Sequence, residues 1–135
     1  MRIIAILFAG LLVSGCDLPR DQRGTLDAVR GGTLTAALAG PESIRDSERR
    51  HLEAFAQSLG ATLEIREVDL HEAIDALEHT EIQIVAGLPK SSPFRRLARS
   101  RTYRAADGES RVWAVPPGEN ALLIEVNRQL GAETQ

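Results

Sequence analysis

The residues with the most evident binding chemistry lie in one segment, residues 87–95. It begins with Gly87, whose backbone is flexible, and leads to two adjacent hydroxyls, Ser91 and Ser92. The proline after Ser92 predicts an N-cap and the first residue of a short helix, with Arg95 in its first turn. Helix N-termini attract anions, and arginine binds carboxylate or phosphate through paired N–H donors. The segment therefore predicts a site for a small anion.

A second interpretation of the same residues remains open, in which Ser92 is only a helix cap and the arginines lie in solvent. The chain carries a run of arginines that stands out in an acidic protein: Arg95, Arg96, Arg99, Arg101 and Arg104. This run either faces anionic lipid headgroups or forms a solvated helix face. His71 and His79 lie eight residues apart, and we expect both to be exposed.

Strand and helix patterns alternate along most of the chain. The expected strands are residues 33–38, 63–68, 82–86 and 112–115, and the expected helices begin at Ser43, Leu70, Ser92 and Glu119. Ser43 and Asp69 are the expected caps of the first two of these helices, each followed three residues later by an acidic residue, and Gly131 is the expected stop of the last. Residues 103–110 are polar and predict a loop. The alternation predicts an α/β fold, a single three-layer lobe with a mainly parallel sheet and helices on both faces.

The expected topology places the candidate site. In an open α/β sheet, ligands bind beyond the carboxyl ends of the strands, near the point where strand order reverses. If the first strand is central, residues 39–43 and residues 87–92 converge there. The sequence therefore predicts a ligand site formed by Gly87, Ser91, Ser92 and Arg95.

The first seventeen residues predict an extracytoplasmic location. A charged start and an apolar run of about eleven residues, too short to span a bilayer, precede Ser14-Gly15-Cys16 and predict a secretory signal over residues 1–15. The small residues before Cys16 resemble a bacterial lipobox, which implies lipidation of Cys16 and a tether over residues 16–24. Asp17 after this cysteine resembles the inner-membrane retention signal of enteric-type bacteria, which implies the inner membrane over the outer. An ordinary signal peptide with a chance cysteine is the alternative.

Composition excludes several classes of function. The 135 residues carry a formal charge of −3, whereas a nucleic-acid-binding domain is usually basic. Three scattered histidines and a single cysteine offer no zinc spacing, and a lipidated Cys16 leaves no thiol for a disulfide. We find no phosphate loop, nucleophile elbow or carboxylate dyad. We therefore expect no nucleic acid, no metal, no cofactor and no enzymatic activity.

Several strings occur in an order that is informative as a whole. They are LDAVRGGTL (26–34), LEAFAQSLG (52–60), AIDAL (73–77), IQIVAGL (82–88), SPFR (92–95), SRTY (100–103) and VWAVPPG (112–118). Together they resemble the first lobe of the polar-amino-acid type of bacterial solute-binding protein, the extracytoplasmic receptor of ABC importers. The resemblance covers residues 25–132 and implies a type II periplasmic-binding-protein lobe. It also implies that Arg95, in the position of the family's Thr-Pro-x-Arg arginine, holds a ligand carboxylate.

Two departures from the family leave two functions open. Only residues 104–110 stand where the family has a complete second lobe, and the segment after the first strand lacks the aromatic residue that stacks on ligand. One hypothesis is a lipid-anchored, periplasmic single lobe that binds a small anionic or amino-acid-like solute and completes its site as a homodimer or on a membrane protein. The alternative is an interaction module without ligand, docking on a membrane transporter, sensor or envelope complex.

Overall fold

A six-stranded sheet forms the centre of the protein, whose computed structural model describes residues 20–133. The strands are β1 (Thr33–Leu38), β2 (Thr62–Ile65), β3 (Ile84–Pro89), β4 (Ala98–Arg99), β5 (Tyr103–Arg104) and β6 (Ser110–Val115). The helices are α1 (Thr25–Val29), α2 (Glu42–Ser58), α3 (Leu70–Glu78) and α4 (Asn120–Ala132). Within residues 20–133 no helix is both long and apolar enough to cross a membrane. The signal and Cys16 lie outside the described residues.

The sheet has the strand order β2-β1-β3-β6-β4, with β5 also paired to β6. β1 is parallel to both β2 and β3, whereas β6 is antiparallel to β3 and to the short strands β4 and β5. Five strands therefore run one way and β6 alone runs against them, which confirms the mainly parallel sheet. The chain passes from β1 to β2 on one side and returns to β3 on the other. Strand order thus reverses at β1.

Alternating residues of the central strands face two cores, as period-two burial requires. One face of the sheet packs against α1, α2 and α4 through Leu34, Ala36, Ile84, Ala86, Trp113 and Val115. The opposite face packs against α3 through Ala37, Val85, Val112 and Ala114. The result is the three-layer α/β lobe expected from the sequence.

The helix that we predicted from Ser92 does not form. Residues 92–97 form neither helix nor strand, and the next two residues form β4, which pairs with β6. The guanidinium of Arg99 donates to the carbonyls of Ser92 (2.8 Å) and Phe94 (2.7 Å), so a side chain satisfies acceptors that a helix would have used. The helix N-terminus expected near Arg95 is therefore absent, because strand pairing and this contact override the local Ser-Pro signal.

Other differences concern where elements end. β3 continues through Gly87 to Pro89 because β6 pairs with it there, so Gly87 does not stop the strand. α2 begins after Pro41 without a side-chain cap, so the cap predicted at Ser43 is wrong. In α3, by contrast, Asp69 accepts the N–H of Glu72 at 2.9 Å, as expected. α4 extends to Ala132, beyond the predicted stop.

The residues just before α1 are bound to the lobe. The carboxylate of Asp21 accepts the N–H of Leu26 (2.7 Å) and of Leu122 (3.0 Å) and so joins the starts of α1 and α4. The buried carboxylate of Glu119 accepts the N–H of Arg23 (3.0 Å) and of Thr25 (3.2 Å). The part of the predicted tether that the structure describes is thus packed against the domain from position 21 onward.

Candidate functional site

A groove opens at the sheet edge where β3 ends and β6 begins. It has a volume of about 610 Å³. The residues that line this edge groove are Pro89, Lys90, Ser91, Arg104, Gly108, Glu109, Ser110 and Arg111. Three of these side chains are cationic and one is acidic. The groove lies at the carboxyl end of β3, beside the point where strand order reverses, which is where ligands bind in open α/β sheets.

Arg111 is the most buried cation at this edge, with 7% of its surface exposed. Its Nη1 donates to the carbonyl of Gly87 at 3.0 Å, and its Nη2 donates to Oδ2 of Asp107 at 2.8 Å. The Nε atom is buried and has no hydrogen-bond partner within residues 20–133. Sequence reasoning missed this residue, although its two-residue spacing from Trp113 places it on a core-facing side of β6.

The segment that follows β1 is in direct backbone contact with β3, where the N–H of Ala39 donates to the carbonyl of Ala86 at 2.8 Å. Gly40 and Gly87 both have positive φ, 88° and 81°. A Cβ on Gly87 would stand 2.7 Å from the carbonyl oxygen of Ala39, and one on Gly40 would stand 3.1 Å from Nη1 of Arg111. Only glycine fits such positions without strain. The guanidinium of Arg111 therefore lies at the junction of β3 and the segment that follows β1.

The ion pair at this junction is formed at neutral pH. The hydrogen bond from Arg111 holds the pKa of the Asp107 carboxyl below its ordinary value, and the N–H of Glu109, 3.1 Å from Oδ1, acts in the same direction. A lowered carboxyl pKa contributes stability at neutral pH that is lost as the pH falls through the lowered value. Protonation therefore removes the charge of Asp107 only in acid.

The structure brings two of the four predicted site residues to the groove or its border and leaves the other two outside it. Gly87 lies at the junction and Ser91 lines the edge groove. Ser92 and Arg95 do not line it: the Ser92 Oγ is buried without a hydrogen-bond partner among residues 20–133, and Arg95 is exposed. The ligand roles of all four residues stay predictions.

The arginine run is not one helix face. Arg99 is turned inward, and its guanidinium braces the loop that carries Ser91 and Ser92 by donating to carbonyls at three positions. Arg104 donates to the carbonyl of Gly108 at 2.8 Å, which ties it to the turn between β5 and β6. Two members of the run therefore hold the loops that border the edge groove.

A buried polar cluster lies between α2 and the sheet. The carboxylate of Glu48, fully buried, accepts the hydroxyl of Tyr103 at 2.7 Å and the indole N–H of Trp113 at 2.8 Å. Burial, followed by the charge of Glu48, raises the pKa of Tyr103, so its hydroxyl remains a donor. Glu48 lies four residues from both Ile44 and Leu52, on the apolar stripe of α2, and that spacing could have revealed it.

The comparison with solved structures matches this architecture. Domain 1 from TmArgBP, solved as a Phe57Trp mutant in an arginine-bound form, aligns with a TM-score of 0.67 and 20% identity over 81% of this chain and 98% of that one. The arginine-bound form of the same domain without that mutation gives a TM-score of 0.64 and 20% identity over 76% and 94%. The L-cystine solute receptor of Neisseria gonorrhoeae, unliganded and open, gives 0.49 and 20% identity over 58% and 40%.

No protein-family model and no curated protein matches the chain. The fold is nevertheless defined by the structural alignment. Residues 20–133 have a single-lobe α/β fold similar to that of domain 1 from TmArgBP.

Proposed function

We propose that this chain is a lipid-anchored single lobe that binds a small anionic or amino-acid-like solute on the periplasmic side of the membrane, as a binding protein and not as an enzyme. The observation that carries the proposal is the edge groove, because it combines cationic and acidic side chains at the ligand-binding edge of this fold. The arginine-bound form of domain 1 from TmArgBP is a structure of one domain, which supports binding by a single lobe here.

The charges along the groove match a zwitterion. The amine of Lys90 and the carboxylate of Glu109 line it and make no hydrogen bond or ion pair within residues 20–133. Lys90 is suited to a solute carboxylate and Glu109 to a solute amine, while the hydroxyls of Ser91 and Ser110 supply neutral donors and acceptors. Arg95 and Ser92 do not line the groove, and in this proposal they supply further donors from the neighbouring loop.

Lipidation of Cys16 would fix the direction in which the groove faces. Asp21 and Glu119 hold the N-terminal segment at the start of α4. The groove lies where β6 begins, whereas α4 follows the residue at which β6 ends, so the start of α4 lies at the opposite edge of the sheet. Five residue steps separate Cys16 from Asp21, and these extend to at most about 18 Å. The distance from one edge of the sheet to the other is at least the length of β1, whose six residues span about 20 Å, so the tether cannot reach the groove. The groove is therefore directed away from the bilayer, toward a solute or a partner's external domain.

Replacing Cys16 by Ser is expected to move the protein from the membrane fraction to the soluble periplasmic fraction, because the acyl chains supply the anchoring energy. Fractionation of the expressing bacterium followed by immunoblotting measures this. Asp17→Asn is the control and is expected to remain with membranes. A Cys16→Ser protein that stays bound to membranes would contradict lipid anchoring.

Replacing Arg95 by Ala is expected to weaken solute binding about 10- to 100-fold, since a hydrogen bond to a charged group contributes about 1.5–3 kcal/mol. The measurement is a thermal-shift screen of residues 17–135 against amino acids, dicarboxylates and other small anions, with affinity taken from the rise in Tm. Arg96→Ala is the matched control, because Arg96 is adjacent, exposed and equally charged.

Equal affinities of the Arg95 and Arg96 variants would show that Arg95 does not hold the solute. No rise in Tm for the unmodified chain at millimolar solute would contradict solute binding itself. That outcome favours the alternative of an interaction module that docks on a membrane transporter, a sensor, an envelope complex or a second copy of the chain.

A further inference from the structure

We infer that Arg111 is an oxyanion-binding centre beneath the edge groove, and that Asp107 occupies it as an internal carboxylate that an external carboxylate can displace. The inference deepens the proposed function and rests on it, because it names the part of the groove that contributes most to the affinity for a solute carboxylate. Its ligand class is a small carboxylate or an oxyanion of similar shape.

The guanidinium of Arg111 is only partly used. Its Nε and Nη2 atoms form one edge, which binds a carboxylate best when both N–H groups donate together. Asp107 fills only the Nη2 position, at 2.8 Å, while Nε is buried without an acceptor within residues 20–133. Most buried donors in proteins have a partner. An external carboxylate is free to meet both donors, which the four-residue spacing of Asp107 and Arg111 does not achieve here.

Release of Asp107 does not require the turn to unfold. The turn between β5 and β6 is closed by backbone hydrogen bonds from Ala105 to Glu109 (2.9 Å) and from Gly108 to Ala105 (2.9 Å), neither of which uses the Asp107 side chain. Rotation of that side chain breaks its bonds to Nη2 and to the N–H of Glu109 and leaves the turn closed. The internal carboxylate is thus exchangeable at low structural cost.

The remaining bond of Arg111 keeps the centre in place during the exchange. Nη1 donates to the carbonyl of Gly87, on the side of the guanidinium away from Nε, and Gly40 packs against the same nitrogen. Lys90 and Arg104 line the groove nearby, so the local charge stays positive when Asp107 leaves. A bound oxyanion would therefore meet a fixed donor pair in a cationic groove.

The test compares two carboxyl neutralisations in the same turn. Residues 17–135 are titrated with sodium acetate at pH 7 and constant ionic strength, and the amide signals of Gly40 and Gly87 are followed by NMR. Asp107→Asn is expected to bind acetate at least tenfold more tightly than the unmodified chain. Glu109→Gln changes the charge equally, but the Glu109 carboxylate makes no hydrogen bond or ion pair with Arg111. Its affinity for acetate is expected to rise less than threefold.

A further variant ties the gain to the guanidinium. Combining Asp107→Asn with Arg111→Lys retains the charge and removes the paired donors, and it is expected to abolish the gain; its Tm shows whether the lobe is folded. Equal gains for Asp107→Asn and Glu109→Gln, no gain for Asp107→Asn, or a gain that persists in the folded double variant would each overturn the inference.

The two proposals fail in different ways. If Asp107→Asn gains acetate binding while the unmodified chain binds no amino acid, the Arg111 centre stands and the proposed function fails. If the unmodified chain binds an amino acid and Asp107→Asn changes neither that affinity nor the one for acetate, the proposed function stands and the Arg111 centre fails.

Discussion

Replacing Glu48 by Ala is expected to lower the free energy of unfolding by about 3–5 kcal/mol, among the largest effects of any single change in this lobe. The substitution leaves the hydroxyl of Tyr103 and the indole N–H of Trp113 without their acceptor in a buried setting. It also leaves a cavity between α2 and the sheet. Urea unfolding measures the effect, and Trp113, the only tryptophan, reports it through its fluorescence.

Two milder variants separate the causes of that loss. Glu48→Gln keeps the volume and one acceptor oxygen, so its cost is expected to be about half as large. Tyr103→Phe removes one hydrogen-bond donor and leaves no buried N–H without an acceptor. Its free energy of unfolding is expected to fall by about 1–2 kcal/mol. If the free energy of unfolding of Glu48→Ala lies within about 1 kcal/mol of the value for the unmodified chain, the cluster does not hold α2 against the sheet.

Replacing Gly87 by Ala is expected to lower the free energy of unfolding by about 3–4 kcal/mol, because left-handed backbone and a steric clash act together. The φ of Gly87 is 81°, and an added Cβ would stand 2.7 Å from the carbonyl oxygen of Ala39. Gly87 belongs to β3, and Ala39 directly follows β1 and donates its N–H to the carbonyl of Ala86, so neither moves without disturbing these central strands. The same urea unfolding experiment measures the loss.

Gly60→Ala is the matched control for Gly87→Ala. Gly60 has a φ of 63°, and a Cβ there would meet nothing within 4 Å, so it isolates the backbone cost of about 1–2 kcal/mol. The difference between the two variants measures the clash of β3 with the segment that follows β1. Equal losses for the two variants would mean that β3 and the segment that follows β1 do not touch as described.

Most of the fold could be predicted from local patterns. β1 was expected over the same residues that form it, Thr33–Leu38, and the cap at Asp69 follows directly from the Asp-x-x-Glu spacing. The helices on both faces of the sheet follow from strand–helix alternation with right-handed crossovers, and the structure shows them there. These features depend on short-range chemistry or on topology, and both can be inferred without knowing distant contacts.

The features that were missed depend on long-range pairing. The Ser-Pro signal near Ser92 predicts a helix, but the pairing of β4 with β6 and the carbonyl contacts of Arg99 determine that segment instead. The contact of Asp107 with Arg111 requires the hairpin of β5 and β6, where the sequence predicted only a loop. Glu48 and Arg111 could have been noticed, since each interrupts an otherwise apolar face at a core-facing position.

The most direct test of solute binding in the edge groove is an NMR titration of ¹⁵N-labelled residues 17–135 with the amino acid that most raises the Tm. The account predicts saturable shift changes concentrated at Gly87, Ser91 and Ser110, with Gly118 at the opposite edge of the sheet unchanged. Changes concentrated around Gly118, or no saturable change at millimolar amino acid, would contradict it.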